Sequence, residues 1–188
     1  MKIILVTGGA RSGKSRFAER YAERYQQVLY VATAQVLDNE MERRVTLHKE
    51  RRPAHWGSVE AWENPAAVLL EEGGRQECIL FDCLSLYVSN MMLSSQAPSD
   101  VEERVIYMKE QFARLLAAAK QVSGTLIFVA NEVGLGIVPD NAMAREYRDW
   151  AGLLNQEVAA IADEVYFTVS GLAVEMKKLA EACFNAEV

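Results

Sequence analysis

A glycine-rich segment near the amino terminus has the residue types and spacing of a phosphate-binding loop. It reads G-x-x-x-x-G-K-S between Gly8 and Ser15, after one apolar run and before a helical pattern. Glycines let the backbone fold around phosphates with its N–H groups pointing inward, and a helix amino terminus adds a positive dipole end. Lys14 is expected to reach the β- and γ-phosphates, and Ser15 to bind Mg²⁺. The residues predicted to bind nucleotide here are Gly8, Gly9, Ala10, Arg11, Ser12, Gly13, Lys14 and Ser15.

Asp82 is the second candidate magnesium ligand. It ends the apolar run Ile79–Phe81, and proteins with phosphate-binding loops hold the metal with a carboxylate at the end of such a strand. The alternative is an aspartate that merely caps a turn. Cys83 follows it, so the adjacent glutamate that many ATP-hydrolysing motors use to activate water is missing. This favours a transferase over an ATPase.

A cluster of cations surrounds one of the two histidines. His48 lies in the segment Arg43–Arg52, which Pro53 ends. In a helix, the spacing would place Arg44, His48 and Arg51 or Arg52 on one face. Such a cluster in an acidic protein suggests a triphosphate site, and neighbouring cations disfavour protonation of the imidazole, which keeps it nucleophilic near neutral pH. The alternative is a solvated basic helix with an incidental histidine.

Several segments, in order along the chain, together resemble one enzyme family. They are the phosphate loop, Tyr30–Ala34, His48–Pro53 with Trp56 and Glu60, Asp82–Leu84, Asn131–Pro139 and Val169–Gly171. The family is the bifunctional adenosylcobinamide kinase/adenosylcobinamide-phosphate guanylyltransferases of cobalamin biosynthesis. The resemblance runs from Ile3 to about Lys177. One departure is Leu47, where some members have a second histidine.

The resemblance implies two reactions. The hydroxyl of adenosylcobinamide takes the γ-phosphoryl group of ATP or GTP, and a histidine then attacks the α-phosphorus of GTP and passes GMP to the phosphorylated corrinoid, giving adenosylcobinamide-GDP. By position in the motif, His48 resembles this histidine, so His48 and Lys14 are the predicted catalytic residues. The further positions implied to contact nucleotide or metal are Ala32, Thr33, Ala34, Lys49, Glu50, Arg51, Arg52, Glu60 and Asp82. The resemblance also implies a homo-oligomer, with a trimer as the expected form.

Two other functions fit parts of this pattern. One is a kinase of another small alcohol, in which His48 is structural and no guanylyl transfer occurs. The other is a nucleotide-gated switch or a RecA-like module that binds a nucleic-acid strand. The formal net charge of −6 and the absence of a basic–aromatic stripe argue against strand binding.

The elements that must position these residues alternate along the chain. Strands are predicted at Ile3–Thr7, Val28–Thr33, Cys78–Asp82, Thr125–Asn131 and Val165–Val169, and each is nearly continuously apolar, as in parallel strands covered on both faces. Helices are predicted from Lys14, from a capping box of Ser99 and Glu102 to about Lys120, and from a cap at Asp140 to about Ala162. The fold class is therefore α/β: a RecA-like, mostly parallel sheet with helices on both faces. Residues 34–74 are predicted to be largely irregular.

Size and composition bound the remaining choices. The 188 residues, about half of them apolar, predict a single domain over residues 1–188. Three cysteines, Cys78, Cys83 and Cys183, form no C-x-x-C pair, so we expect reduced thiols and no zinc site. The amino-terminal apolar run is too short to span a bilayer and lacks a small-residue cleavage site, so we expect a cytoplasmic protein. The resemblance implies that its partners are a nucleoside triphosphate and a small-molecule corrinoid.

Overall fold

The structure is a computed structural model, and it describes residues 1–35 and 38–185, without the side chains of residues 40–42, 44, 48, 184 and 185. Strands and helices alternate through most of the chain. In order they are β1 (Lys2–Gly8), α1 (Lys14–Ala22), β2 (Val28–Ala32), α2 (Asn39–Arg51), β3 (Gly57–Glu60), α3 (Pro65–Glu72), β4 (Cys78–Asp82), α4 (Leu84–Met92), α5 (Val101–Ala119), β5 (Thr125–Asn131), α6 (Ala142–Ile161), β6 (Glu164–Val169), β7 (Leu172–Glu175) and α7 (Met176–Asn185).

The seven strands form one sheet in the order β3-β2-β4-β5-β1-β6-β7. Every neighbouring pair is parallel except β6 and β7, which form an antiparallel hairpin. The five predicted strands are confirmed to within one residue at each end, and so is the α/β class. One strand, β5, lies between the strand of the phosphate loop and the strand that ends at Asp82, so both carboxyl ends face the same edge of the sheet.

Alternate residues of the central strands enter two separate apolar cores. Ile3 and Leu5 of β1 pack with residues of α3, α4, α5 and α6 on one face of the sheet. Ile4 and Val6 pack with residues of α1 on the other face. Helices therefore cover both faces, as the continuous apolar strands predict, and the residues just beyond the carboxyl ends are left for the site.

Two predicted helix caps are wrong by one residue. Helix α5 is capped by Asp100 and not Ser99, because the Asp100 carboxylate accepts hydrogen bonds of 3.0 Å from the backbone N–H groups of Glu102 and Glu103. Helix α6 is capped by Asn141 and not Asp140, since the Asn141 side chain accepts a 2.7 Å bond from Ala144 N. In each case a side chain one residue later reaches the free amides of the first turn.

The segment predicted to be irregular, residues 34–74, in fact contains α2, β3 and α3. Strand β3 has only four residues, mostly exposed, and it forms by pairing with the edge of β2. Helix α3 begins at Pro65, whose fixed φ suits the first helical position, after an Asn64 side chain that accepts a 3.3 Å bond from Ala67 N. Neither short element has a strong hydrophobic period, so the sequence pattern does not reveal them.

Candidate active site

The phosphate loop joins β1 to α1 and needs glycine at two positions. Gly13 has a φ of 100°, and a Cβ there would lie 3.0 Å from the Cα of Gly171. A Cβ at Gly8 would lie 2.3 Å from Oγ1 of Thr168. Both glycines are therefore required by close packing against the β6–β7 hairpin.

The β6–β7 hairpin supports the loop from outside. Its two turn residues, Ser170 and Gly171, have φ values of 52° and 83°, as a type I′ turn requires. Gly171 N donates a 2.8 Å hydrogen bond to Ser12 O, and the hydroxyls of Ser12 and Thr168 lie 2.7 Å apart. Thr168 is buried in this role, and no sequence motif singles it out. The resemblance includes Val169–Gly171, and these contacts explain what that segment does.

Lys14 begins α1 and is half-buried. Its Nζ donates a 3.2 Å hydrogen bond to Gly9 O within the loop. Burial lowers the pKa of Lys14, and electrostatic interaction with Cys83 and Asp82 opposes that shift. The structure thus brings Lys14 and Asp82 close enough to interact electrostatically, although 68 residues separate them in the chain.

Asp82 is held by a tyrosine of the neighbouring strand. Tyr30 Oη donates a 2.6 Å hydrogen bond to Asp82 Oδ2. Burial, followed by the Asp82 charge, raises the pKa of Tyr30 well above its usual range, so the phenol stays protonated and acts as a donor. Tyr30 is not predicted from its own residue type; only its place in the Tyr30–Ala34 segment points to it.

Ser15 and Asp82 fit a magnesium site in chemistry. Both offer oxygen, the ligand that Mg²⁺ prefers. Ser15 directly follows Lys14 in the chain, and Asp82 interacts electrostatically with Lys14. Within the part of the chain that the structure describes, no group of three or more His, Cys, Asp or Glu residues is placed to hold a metal.

The end of β2 is locked to the turn after Asp82. Thr33 is fully buried, and its hydroxyl donates to Cys83 O and accepts from Cys83 N, both at 2.8 Å. This hydroxyl therefore fixes the position of Asp82. The neighbouring Ala32 and Ala34 are partly exposed at the carboxyl edge of the sheet.

The basic segment Arg43–Arg52, for which the sequence leaves a helix open, is helical as far as Arg51 in α2, which packs on the α1 side of the sheet. Arg51 Nη2 lies 3.1 Å from Glu19 Oε1 of α1, and the Arg52 guanidinium lies 3.3 Å from the centroid of the Tyr30 ring. Glu50 is exposed. The backbone of His48 lies in α2, and its side chain lies outside the described residues.

A cavity of about 300 Å³ lies between the end of α2 and β3. Its walls include three predicted nucleotide-binding residues, Lys49, Arg52 and Glu60. Lys49 Nζ lies 3.6 Å from Glu60 Oε1, an exposed ion pair that contributes little to stability. Trp56 is buried beside it, and its Nε1 has no hydrogen-bond partner within the described ranges. The cavity therefore offers a carboxylate, two cations and a spare N–H donor.

Comparison with known proteins decides the family. Residues 4–176 match the family model described as cobinamide kinase / cobinamide phosphate guanyltransferase. The chain belongs to this family. It is 43% identical to the bifunctional adenosylcobalamin biosynthesis protein CobU of Salmonella typhimurium, over 93% of this chain and 99% of the relative. It is 41% identical to the protein of the same name from Escherichia coli, with the same coverage.

A third relative is the bifunctional adenosylcobalamin biosynthesis protein CobP of Pseudomonas aeruginosa, 44% identical over 92% of this chain and 96% of the relative. The predicted family is therefore confirmed. The segment matched to the kinase/guanyltransferase family contains the phosphate loop, α2, β3 and Asp82. Among the described helices, none is long and apolar enough to cross a membrane.

Proposed function

We propose that this chain phosphorylates the hydroxyl of adenosylcobinamide with ATP or GTP and then transfers GMP from GTP to the new phosphate through guanylylated His48. The product is adenosylcobinamide-GDP. We further propose that residues 1–188 act as one cytoplasmic domain in a homo-oligomer, with a trimer as the expected form. The family assignment supports both reactions, and the cations and carboxylates of the site support the roles given below.

One observation carries the proposal: the phosphate loop, Asp82 and the basic helix converge at one edge of the sheet. Only β5 separates the strand of the phosphate loop from the strand that ends at Asp82. Asp82 accepts a hydrogen bond from Tyr30, and the guanidinium of Arg52, just after α2, lies over the Tyr30 ring. A triphosphate bound in the loop would therefore lie at the same edge of the sheet as the cations of the basic segment.

In the kinase step, the chain's residues bind and orient the triphosphate. Backbone N–H groups of the loop and the amino end of α1 would hold the phosphate oxygens, and Lys14 would neutralise the β- and γ-phosphates as the bond between them breaks. Ser15 and Asp82 would hold Mg²⁺, which supplies charge neutralisation when bound. The γ-phosphoryl group passes to the alcohol oxygen, and a nucleoside diphosphate leaves.

In the guanylyl step, a nitrogen of His48 attacks the α-phosphorus of GTP and pyrophosphate leaves. The phosphate of the phosphorylated corrinoid then attacks the same phosphorus, and the histidine is released. A covalent intermediate divides one difficult displacement into two in-line transfers. Helix positions 51 and 52 follow position 48 by three and four residues, the spacing at which helical residues are neighbours. Arg51 and Arg52 would thereby stabilise the charge that develops on the phosphates.

The nucleotide base has a candidate place in the cavity beside β3. Glu60 would accept hydrogen bonds from the N–H groups of the guanine edge, an edge that adenine lacks. A site built to bind those donors rejects the base without them, because its polar group is left unpaired.

The test is to follow the corrinoid by mass. With adenosylcobinamide, Mg²⁺ and ATP, the wild-type protein should add one phosphoryl group, and subsequent GTP should add one GMP. Formation of the phosphate with no GMP transfer would favour a kinase that lacks the guanylyl step. Failure to form either product would contradict the proposal as a whole.

A further inference from the structure

A second and larger cavity lies on the opposite face of the sheet from α2. It is a groove of about 630 Å³ beside α6, which we call the α6 groove, and its walls include Leu5, Thr7, Glu132, Arg148, Asn155 and Val165. Leu5 and Val165 belong to the core on the α6 face, whereas α1 packs on the other core. The nucleotide residues proposed above do not line this groove.

The α6 groove begins at the phosphate loop. Thr7 directly precedes Gly8, and Glu132 N donates a 3.0 Å hydrogen bond to Gly8 O. Asn155 Nδ2 donates a 3.3 Å bond to Asn131 O, which ties α6 to the same corner. A molecule in the groove would therefore reach the place where the loop presents a γ-phosphate.

The chemistry of the groove differs from that of the basic helix. Its floor contains the apolar Leu5, Leu153 and Val165, and its walls contain the amide-bearing Asn155 and Gln156. The Thr7 side chain is 9% exposed, and its Oγ1 has no hydrogen-bond partner in the described part of the chain. A buried hydroxyl without a partner is costly unless a ligand or water supplies one.

One segment of the family resemblance also lies at this groove. Glu132 and Gly134 of Asn131–Pro139 line the groove, and Glu132 Oε1 accepts a 2.9 Å bond from Gly134 N. The same loop continues into three large apolar side chains that are 62–97% exposed: Leu135, Ile137 and Val138. Exposed apolar groups beside a groove are typical of a ligand site.

We propose that the α6 groove binds the phosphoryl acceptor, cobinamide, and that Glu132 takes the proton of its hydroxyl. This rests on the proposed kinase function. The charged residues of the groove are two carboxylates, Glu132 and Asp149, and one cation, Arg148, a balance that disfavours an anionic triphosphate but suits an uncharged hydroxyl. Amide walls and an apolar loop match a corrin ring that carries amide side chains.

In the phosphoryl transfer, the O–H bond of the acceptor breaks, its proton passes to a Glu132 carboxylate oxygen, and the alcohol oxygen bonds to the γ-phosphorus. The bond from the γ-phosphorus to the β–γ bridging oxygen breaks, and the diphosphate leaves with the electron pair. Glu132 then returns the proton to water.

Gly152 of α6 provides the test, because it lines the groove and a Cβ there would meet no atom within 4 Å. We expect Gly152→Trp to raise the dissociation constant for cobinamide at least tenfold, measured by visible absorbance titration, with the constant for ATP changed less than twofold. Gly74→Trp is the matched control, because a Cβ at Gly74 would also meet no atom within 4 Å and Gly74 does not line the groove. The Gly74→Trp variant should bind cobinamide as the wild type does.

Two further variants test the groove with substitutions that keep the side-chain shape, so that a failure to fold is not expected. Thr7→Val keeps the shape and removes the hydroxyl, and it should weaken cobinamide binding severalfold. Glu132→Gln should reduce kinase turnover at least a hundredfold, the range of general-base catalysis, with the cobinamide dissociation constant within threefold of wild type.

The proposal is overturned if Gly152→Trp binds cobinamide normally. It is equally overturned if that variant changes only the sedimentation of the protein, which would make the groove a contact between copies of this chain. If the wild type itself binds no cobinamide, the proposed kinase function fails instead, and the two failures are thereby distinguished.

Discussion

Tyr30 Oη donates a 2.6 Å hydrogen bond to Oδ2 of Asp82, and the guanidinium of Arg52 lies over the same tyrosine ring. One side chain of β2 therefore connects the predicted metal ligand with the basic helix. Loss of the phenol would disturb Asp82 without removing its charge. Substitution of Tyr30 therefore tests the position of the Asp82 carboxylate, whereas substitution of Asp82 tests its charge.

Asp82→Asn should raise the Mg²⁺ concentration needed for half-maximal kinase activity, because the amide removes the negative charge that attracts the cation. Tyr30→Phe keeps the carboxylate and the ring, and it should give a smaller rise. A hydrogen bond to a charged group is worth about 1.5–3 kcal/mol, so this variant should also unfold more easily. If Asp82→Asn lowered the rate without changing the metal dependence, Asp82 would have a structural or proton-transfer role.

Lys14→Ala should abolish phosphoryl transfer, with a loss of at least a hundredfold in kinase turnover. The side chain is half-buried and interacts with Asp82, so its cation acts where water screens charge poorly. Thermal unfolding should show an intact fold. A near-normal rate in this variant would refute the phosphate-loop assignment.

Gly13→Ala should lower the free energy of unfolding by about 1–3 kcal/mol, because an L-residue is strained at a φ of 100° and its Cβ would press on Gly171. Gly9→Ala is the matched variant in the same loop, since its Cβ would meet no atom within 4 Å. It should change the free energy of unfolding by less than about 1 kcal/mol. Denaturation of both proteins without nucleotide makes the comparison, and equal losses would argue against the hairpin contact.

Much of the fold follows from the sequence because the central strands are covered on both faces. Runs such as Cys78–Asp82 are apolar throughout, and both ends of that strand are predicted correctly. Strand β3 and strand β7 escape prediction because each is four residues long, largely exposed, and formed by pairing with a neighbour. Such strands depend on tertiary context more than on their own residues.

The site divides in the same way. The phosphate loop is contiguous, so its residues can be predicted from spacing, and the basic helix is visible as a charge cluster. The approach of Lys14 to Asp82 and the support of Ser12 by Thr168 require the sheet order, which local patterns do not contain. The α6 groove draws residues from β1, the loop after β5 and α6, and no local motif announces it.

The ion pair between Arg104 of α5 and Glu146 of α6 should make stability depend on acid. Arg104 Nε lies 2.7 Å from Glu146 Oε1, and this hydrogen bond lowers the pKa of Glu146 below its ordinary 4.5. A carboxyl with a lower pKa in the folded state stabilises the protein above the unfolded value and loses that contribution as the pH falls. The stability advantage of wild type over Glu146→Gln should therefore be full above about pH 4.5 and shrink in more acid solution. An advantage that does not change with pH would contradict this.

Covalent labelling of the protein by GTP tests most directly whether His48 carries GMP. GTP labelled at the α-phosphate should mark the wild-type protein with a mass gain of one GMP, in a bond that is labile in acid and stable in alkali, as a phosphoramidate is. His48→Ala should take no label and still phosphorylate adenosylcobinamide, because γ-phosphoryl transfer needs no covalent intermediate. His55→Ala, at an exposed histidine seven residues away, should keep both activities. Label that persists in His48→Ala and disappears in His55→Ala would contradict the account.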